Sequence, residues 1–169
     1  MDVWEAIRKK RAVRQFKPEA LKPEHVQRIL DAGRRSQSSK NSQPWHFIAV
    51  QNKDTLQQLS TMGDFLGHVA GAALCVVICL PEENERTLWH FFDAGQSASY
   101  MQLAALEVGV GSCLGTIYKP EETRELLGIP EGWQARLLIS FGYPVEQPPR
   151  PPKPDGRRKF DEVVHEEKW

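Results

Sequence analysis

The sequence has 169 residues, of which 40% are hydrophobic and 26% are charged, and its 22 basic residues balance 22 acidic residues. A chain of this length is one domain by the usual prior and can bury a hydrophobic core. The formal charge of zero gives no support for a nucleic-acid-binding or membrane-surface protein, since both classes depend on an excess of basic residues.

Two helices are predicted in the N-terminal part of the chain. Asp2 can cap the first helix, which carries apolar residues on one face and ends near Arg11. The second begins at Pro23, because proline is tolerated in the first turn of a helix. It extends to about Arg35, since apolar and small residues recur at helical spacing, at Val26, Ile29, Leu30 and Gly33.

A polar loop is predicted over residues 36–44, because most of its side chains hydrogen-bond in turns and it closes with a proline. Aromatic and β-branched residues predict a strand over 45–50, and a short helix follows over 54–61. The continuous apolar run at 72–80 is typical of a strand that is buried on both faces.

The three cysteines predict neither a disulfide framework nor a zinc site. Cys75 and Cys79 lie within the apolar run and Cys113 within a glycine-rich stretch, so all three are interpreted as small core residues. An odd, low count suits a reducing compartment. The charged N-terminus lacks the apolar segment of a secretory signal, and the stretch Val69–Leu80 is too short to span a bilayer. We therefore expect a cytoplasmic protein.

The longest helical pattern covers Glu85–Val108 and is apolar most of the way round, which is typical of a buried helix. Its many small residues would let other elements approach closely, and in so small a chain a subunit interface would bury it most easily. A glycine-rich stretch follows at 109–117, and then a short helix at Pro120–Leu127 that ends at Gly128. A last strand is predicted over Ala135–Phe141.

The C-terminal part is expected to form an extended arm. Residues 147–154 contain five prolines, which favour polyproline II geometry across a surface. Residues 159–169 carry apolar side chains and would fray unless they docked onto another surface. With no internal repeat, the sequence predicts a single domain, 1–169, in which 147–169 is a proline-rich arm.

Three segments could bind a ligand, and each also has a plainer interpretation. Residues 10–14 could meet a phosphate with their three cations, or form only a solvated basic face. Residues 38–45 could hydrogen-bond a planar ring system, or form an ordinary polar turn. The glycines of 109–115 allow close backbone approach, but their spacing is not that of a dinucleotide fingerprint.

The sequence contains no self-sufficient catalytic set. Its five histidines form no close ligand pair and no HExxH motif, and no GxSxG motif is present. Asp93, on the long helix, is more typical of a capping or ion-pair residue than of a catalytic base. Anion- and ring-binding segments without acid–base chemistry of their own indicate a cofactor that carries the reaction.

Five segments, taken in order, resemble the nitroreductase family over essentially the whole chain. Residues 8–16 (RKKRAVRQF) are similar to the family's opening R-R-S-x-R-x-F pattern, and 38–45 (SSKNSQPW) to its most specific segment, S-S-x-N-x-Q-P-W. Residues 93–115 resemble the family's long core helix and the glycine-rich turn after it. Residues 141–144 (FGYP) and 157–165 complete the series.

The resemblance implies an α+β fold of the FMN-dependent nitroreductase type, with a small, mainly antiparallel sheet wrapped by helices. It also implies an intertwined homodimer with FMN at the subunit interface. The matching positions that would hold the FMN phosphate and ribityl chain are Lys10, Arg11, Ala12 and Arg14, with Arg157 and Arg158 closing on the phosphate. Those that would meet the flavin are Ser38, Ser39 and Asn41 from the other subunit, and Leu114 and Gly115 through their backbone.

Two departures from the family pattern bear on FMN retention. Ala12 stands where the family usually has serine, so one hydroxyl contact to the phosphate is absent. Lys10 replaces the usual arginine and offers a point charge instead of a fork of donors. The chain is also short for the family, whose insertions cover the flavin, so we expect an open and permissive substrate site.

The implied activity is the NAD(P)H-dependent reduction of nitroaromatics, quinones or similar acceptors by ping-pong hydride transfer through flavin N5. This chemistry needs no dedicated protein base. Three alternatives stay open: a specialised flavin oxidoreductase of the dehalogenase or dehydrogenase type, a flavin-binding carrier or sensor, and an interaction protein that uses its proline-rich segment.

Overall fold

The structure, a computed structural model, describes residues 1–82, 88–145 and 156–169. The helices within these ranges are α1 (Val3–Lys9), α2 (Pro23–Arg34), α3 (Lys53–Leu59), α4 (Leu88–Glu107) and α5 (Pro120–Leu127). The strands are β1 (His46–Val50), β2 (Leu74–Pro81), β3 (Gly111–Thr116) and β4 (Trp133–Gly142).

The four strands form one sheet in the order β1-β2-β4-β3. Each neighbouring pair is antiparallel. The expectation of an α+β fold with a small, mainly antiparallel sheet is therefore confirmed. Because β1 and β3 are the outer strands, each presents one row of backbone groups that no other strand of the sheet pairs.

Each face of the sheet has its own hydrophobic core. On one face, alternate residues of β2 and β4 pack against α2 and α4. On the other face, the intervening residues pack against α3 and the segment that follows it. β2 is buried along nearly its whole length, as its continuous apolar run predicts. Burial raises the pKa of the Cys75 thiol and raises that of Cys79 to about 11, which fits their interpretation as inert core residues.

Local signals explain several helix ends. The side chain of Asp2 accepts a hydrogen bond from the backbone N–H of Glu5, so it caps α1. The structure gives α5 the predicted bounds, and Gly128 ends it in the left-handed conformation with φ 63°. The predicted arm at 147–154 lies outside the described residues, as do residues 83–87, where the first turn of the long helix is expected.

One strand was not foreseen in the sequence. The glycine-rich residues after the long helix, interpreted as a turn, form β3 and pair with β4 along their whole length. Glycine is uncommon inside a strand and often marks a close approach of another chain segment. Two such approaches occur here, at Gly111 and Gly115, and both belong to the candidate site.

α4 has one buried and one exposed apolar face. Its small residues allow the predicted close approach, since the Ser97 hydroxyl donates a 3.0 Å hydrogen bond to the Gly33 carbonyl of α2. The other face leaves large apolar side chains exposed, at Leu88, Trp89, Phe92 and Tyr100. α1, which contacts α4, exposes Val3, Trp4 and Ile7 in the same way. Within the described ranges, no helix is long and apolar enough to cross a membrane.

Candidate functional site at the edge of β3

The segment after α1 lies along the open edge of β3. Ala12 forms a parallel bridge with Ser112, and the Val13 N–H donates to the Ser112 carbonyl at 2.9 Å. Gly111 makes this approach possible, because a Cβ added to it would lie 2.8 Å from the Val13 side chain. The fold thus brings residues 10–14 and 112–115 together, two segments that the resemblance assigns to the same cofactor.

The register of β3 decides which of its backbone groups face outward. In a strand, the N–H and C=O groups of successive residues point to opposite sides within the sheet. The Ser112 carbonyl points away from β4, toward Val13, so the backbone groups of Leu114 also point to the open edge. The Leu114 side chain is exposed as well. Leu114 therefore points its backbone N–H and C=O to the open edge, where its carbonyl accepts a 3.5 Å hydrogen bond from the Cys113 thiol.

Gly115 serves the site through its lack of a side chain. It faces the second core, where an added Cβ would lie 2.2 Å from Leu66 Cδ2 and 3.3 Å from Leu138 Cδ1. By the same alternation, its backbone groups point toward β4 rather than to the open edge. A glycine at this position lets the segment around Leu66 pack directly beneath β3.

Positive charge collects around Cys113 without a balancing carboxylate. Lys10 and Arg14 both lie close enough to the Cys113 thiol to lower its pKa, although burial has the larger effect and raises it. Burial also lowers the pKa of Lys10, which means that its ammonium is partly withdrawn from water. Neither cation forms a salt bridge with any of the residues that the structure describes. The partly buried Lys10 and the exposed Arg14 together create a site for an anion.

The other two predicted phosphate residues in this segment are arranged differently. The Arg11 guanidinium donates to the backbone carbonyls of Arg8 and Lys10, at 2.6 and 2.8 Å, and so satisfies the C-terminal end of α1. Ala12 is exposed and contributes its backbone through the bridge to Ser112. Both bonds use only the NH1 group of Arg11, so its Nε and NH2 groups form no hydrogen bond among the described residues.

His68, which the sequence interpretation did not single out, also reaches this site. Its ring is only 8% exposed, and Nδ1 lies 2.7 Å from the Ser140 hydroxyl. Nε2 would lie 3.6 Å from a Cβ added to Gly115. Burial and the nearby Arg14 guanidinium lower the pKa of His68. Nothing in the local sequence marks this residue, because its partners come from β4 and from the segment after α1.

The polar loop before β1 has an unusual backbone and a buried anchor. Lys40, Asn41 and Gln43 all have positive φ angles, 53°, 54° and 48°. The Ser38 hydroxyl accepts from the Gln43 N–H at 2.9 Å, and the Ser39 N–H donates to both carboxylate oxygens of the buried Asp93, at 3.1 and 3.2 Å. These hydrogen bonds anchor the loop in a backbone conformation that few non-glycine residues adopt.

The remaining predicted site residues do not join this cluster within one chain. No described hydrogen bond or ion pair links the loop at 38–43 to residues 10–14 or to β3. Arg158 donates to the Glu162 carbonyl at 2.7 Å, and Arg157 to the Gly156 carbonyl at 3.3 Å, so both bond within their own segment. In addition, the described ranges hold no group of three or more acidic, histidine or cysteine residues that could bind a metal ion.

The chain has clear relatives among known proteins. The sequence model of the nitroreductase family matches residues 7–63 and 65–143. A Methanothermobacter thermautotrophicus protein with the provisional name NADH dehydrogenase/NAD(P)H nitroreductase is 30% identical over all of this chain and 88% of its own length.

Two solved structures share the fold at similar levels of identity. An FMN-dependent nitroreductase from Clostridium difficile R20291 is 30% identical, with a TM-score of 0.84 over 97% of this chain and 98% of the other. The NADPH:FMN oxidoreductase from Vibrio harveyi, solved in complex with NAD+, is 25% identical, with a TM-score of 0.86 over 98% of this chain and 77% of the other.

Proposed function

This chain belongs to the nitroreductase family, and from that premise we propose that it is an FMN-dependent oxidoreductase that uses NAD(P)H to reduce small electron acceptors. The observation that carries the proposal is the uncompensated pair of cations, Lys10 and Arg14, at the open edge of β3. A cofactor that carries an anionic phosphate and a planar ring suits two cations beside an open strand edge. The relatives of this chain include an FMN-dependent nitroreductase and an NADPH:FMN oxidoreductase.

The residues at the β3 edge fit the two ends of FMN. Lys10 and Arg14 would hold the phosphate, since charge-assisted hydrogen bonds to a phosphate are the strongest that a protein makes. Leu114 would contact the ring through its outward backbone groups. Gly115, which has no side chain, lets Leu66 pack directly against β3 on the other side. When bound, FMN would supply the hydride acceptance and donation that no side chain here can perform. The protein's own part is to position the ring and to balance its charge.

A second copy of the chain would complete the site. The loop at 38–43 is held by Asp93 and has no described hydrogen bond or ion pair with Lys10 or Arg14 of its own chain. Ser38, Ser39 and Asn41 would then line the flavin of the partner. The exposed apolar faces of α1 and α4 supply the surface for such a dimer. Two buried side-chain atoms that lack a partner among the described residues, His90 Nδ1 and Gln102 Nε2, are also on α4.

The C-terminal segment would contribute to the same assembly. Arg157 and Arg158 would reach the phosphate once their segment docked on the partner. That segment exposes four large apolar side chains, as expected of an arm that binds another surface, namely Phe160, Val163, Val164 and Trp169. A cytoplasmic location belongs to this proposal, because all three cysteines are free and NAD(P)H is available there.

The acceptor is proposed to be a nitroaromatic, a quinone or a similar planar compound. Several apolar side chains around the end of β3 are exposed and would favour stacking with a flat substrate, namely Phe65, Leu114 and Tyr118. NAD(P)H and the acceptor would use the open face of the flavin in turn, which gives ping-pong kinetics.

The visible absorption spectrum of the purified protein tests this function, recorded before and after anaerobic addition of NADH or NADPH. The expected result is a set of flavin bands that one of the two nucleotides bleaches and that a quinone or nitroaromatic then restores. Flavin bands that neither nucleotide bleaches would favour the carrier alternative. A protein that stays colourless after FMN is added would contradict the proposal.

A further inference from the structure

We propose that His68 is an additional residue of the flavin site, and that its ring takes up a proton when the anionic cofactor binds between β3 and the segment at 10–14. This inference rests on the function proposed above. It concerns a residue that none of the five segments of family resemblance contains.

The position of the ring is the first argument. His68 lies in the segment between α3 and β2, and this segment packs beneath β3 through Leu66. Nε2 approaches Gly115, while the ring also lies close enough to Arg14 for the guanidinium to lower its pKa. The ring therefore lies between two residues that the site assigns to the same cofactor.

The hydrogen bonds of the ring are the second argument. Nδ1 is held 2.7 Å from the Ser140 hydroxyl, which itself lies 3.4 Å from the Cys113 carbonyl. Ser140 thereby fixes the ring orientation from the middle of the sheet, since it is fully buried on β4. One ring nitrogen is thus occupied by the protein, and Nε2, on the side of Gly115, has no hydrogen bond among the described residues.

The charges around His68 are the third argument. The ring contacts the neutral Ser140 hydroxyl, faces Gly115 on the side where Leu66 also lies, and is close enough to the Arg14 guanidinium for that cation to lower its pKa. The neighbouring titratable groups on the same side are the Cys113 thiol, whose pKa is raised, and Lys10. Among the described residues, the charge that shifts the pKa of His68 is the positive Arg14, which adds to the larger effect of burial, so a second proton on the ring is less favourable until an anion arrives.

The direction of the pH effect follows from this arrangement. Without FMN, the lowered pKa keeps His68 neutral near pH 7. The phosphate of FMN would offset the effect of Arg14 and so raise the pKa of His68, while the larger effect of burial would remain. Because the complex then holds the proton more tightly than the free protein, FMN binding strengthens as pH falls through this window. A shift of about half to one pKa unit corresponds to roughly three- to tenfold in affinity.

The test is a fluorescence titration of the FMN-free protein with FMN between about pH 5.5 and 8, with the wild type and His68→Gln. FMN's own phosphate titrates in the same range, so the variant supplies the baseline. Relative to that baseline, the wild-type affinity is expected to gain about three- to tenfold at the acidic end. His46→Gln is the matched control, because His46 is exposed on β1 at the opposite edge of the sheet. It should retain the wild-type profile.

A second measurement does not depend on a variant that folds. NMR titration of the His68 ring in the wild-type protein should show its pKa rising when FMN is added, and rising much less with riboflavin, which lacks the phosphate. If FMN leaves the NMR titration of His68 unchanged, or if wild type and His68→Gln show the same dependence of FMN affinity on pH, the proposed role of His68 is wrong while the proposed function stands. A wild-type protein that binds no FMN at any pH overturns the proposed function, and the role of His68 with it.

Discussion

β2 and β3 both pair with β4, one on each side, but they differ in how many of their edges and faces this chain covers. β2 is covered on both faces by this chain's own helices and paired on both edges. β3 pairs on one edge only, and its other edge meets a short segment with two uncompensated cations. One chain therefore suffices for the core, whereas by our proposal the site at β3 is completed by a cofactor and a second copy of the chain.

Ile78→Ala should give the largest effect on stability, because it opens a cavity in the completed region. Ile78 is 1% exposed on β2, between Phe47 of β1 and Leu137 of β4. The free energy of unfolding is expected to fall by about 2–5 kcal/mol in chemical denaturation, and by only about 0.5–1.5 kcal/mol for Ile78→Val. The folded fraction should still bind FMN. A variant that lost FMN affinity without losing stability would contradict the separation of the two regions.

Phe92→Glu tests the exposed face of α4. Phe92 is 66% exposed in one chain, so a new carboxylate there costs little in an isolated protomer. In a dimer it would replace a large aromatic contact with a charge, and the dissociation free energy should fall by about 2 kcal/mol or more. Sedimentation velocity would show a shift toward monomer. Gln57→Glu, at an exposed position of α3, is the control, and equal sedimentation of both variants would argue against this face as the interface.

Arg14→Ala should weaken the β3 site and leave the core intact. Loss of its charge-assisted hydrogen bonds should reduce FMN affinity by about ten- to a hundredfold, from about 1.5–3 kcal/mol per such contact. The free energy of unfolding without FMN should change by less than about 0.5 kcal/mol, since Arg14 is exposed. Arg28→Ala is the control, because it removes another exposed cation, one that pairs with Glu107. Full flavin occupancy of purified Arg14→Ala would contradict the assignment.

Gly115→Ala tests the contact between β3 and the second hydrophobic core. The new methyl group would lie 2.2 Å from Leu66 Cδ2, so the segment beneath β3 must shift. We expect a loss of about 1–3 kcal/mol in the free energy of unfolding, typical of overpacking. Gly71→Ala is the matched control, because nothing lies within 4 Å of its added Cβ. Thermal unfolding that ranked the two variants equally would show that this approach is looser than described.

Where local signals act alone, the sequence predicts the fold well. Pro120 and Gly128 bracket α5 at both ends, and the continuous apolar run of β2 is typical of a doubly covered strand. β3 was missed because glycine has a low intrinsic preference for strands. Gly111 and Gly115 are explained only by Val13 and Leu66, distant residues whose approach no local pattern reveals.

The candidate site depends even more on contacts between distant residues, which local sequence patterns do not reveal. The resemblance placed Lys10, Arg14 and Leu114 in one site, and the structure brings their segments together. His68 carries no motif, and its partner Ser140 is 72 residues away. Asp93 was interpreted as a capping or ion-pair residue, and its actual role is to hold the Ser39 N–H of the distant polar loop. Both roles depend on contacts that exist only after the sheet has formed.

The most direct test of the shared site is subunit complementation between Arg14→Ala and Asn41→Gly. Glycine keeps the positive φ of position 41 accessible while it removes the side chain. If each site takes Arg14 from one chain and Asn41 from the other, each variant alone binds little FMN. Randomly paired mixtures should then recover about a quarter of the wild-type FMN capacity, since half the dimers hold one intact site. No recovery in mixtures that demonstrably exchange subunits would contradict a site built from two chains.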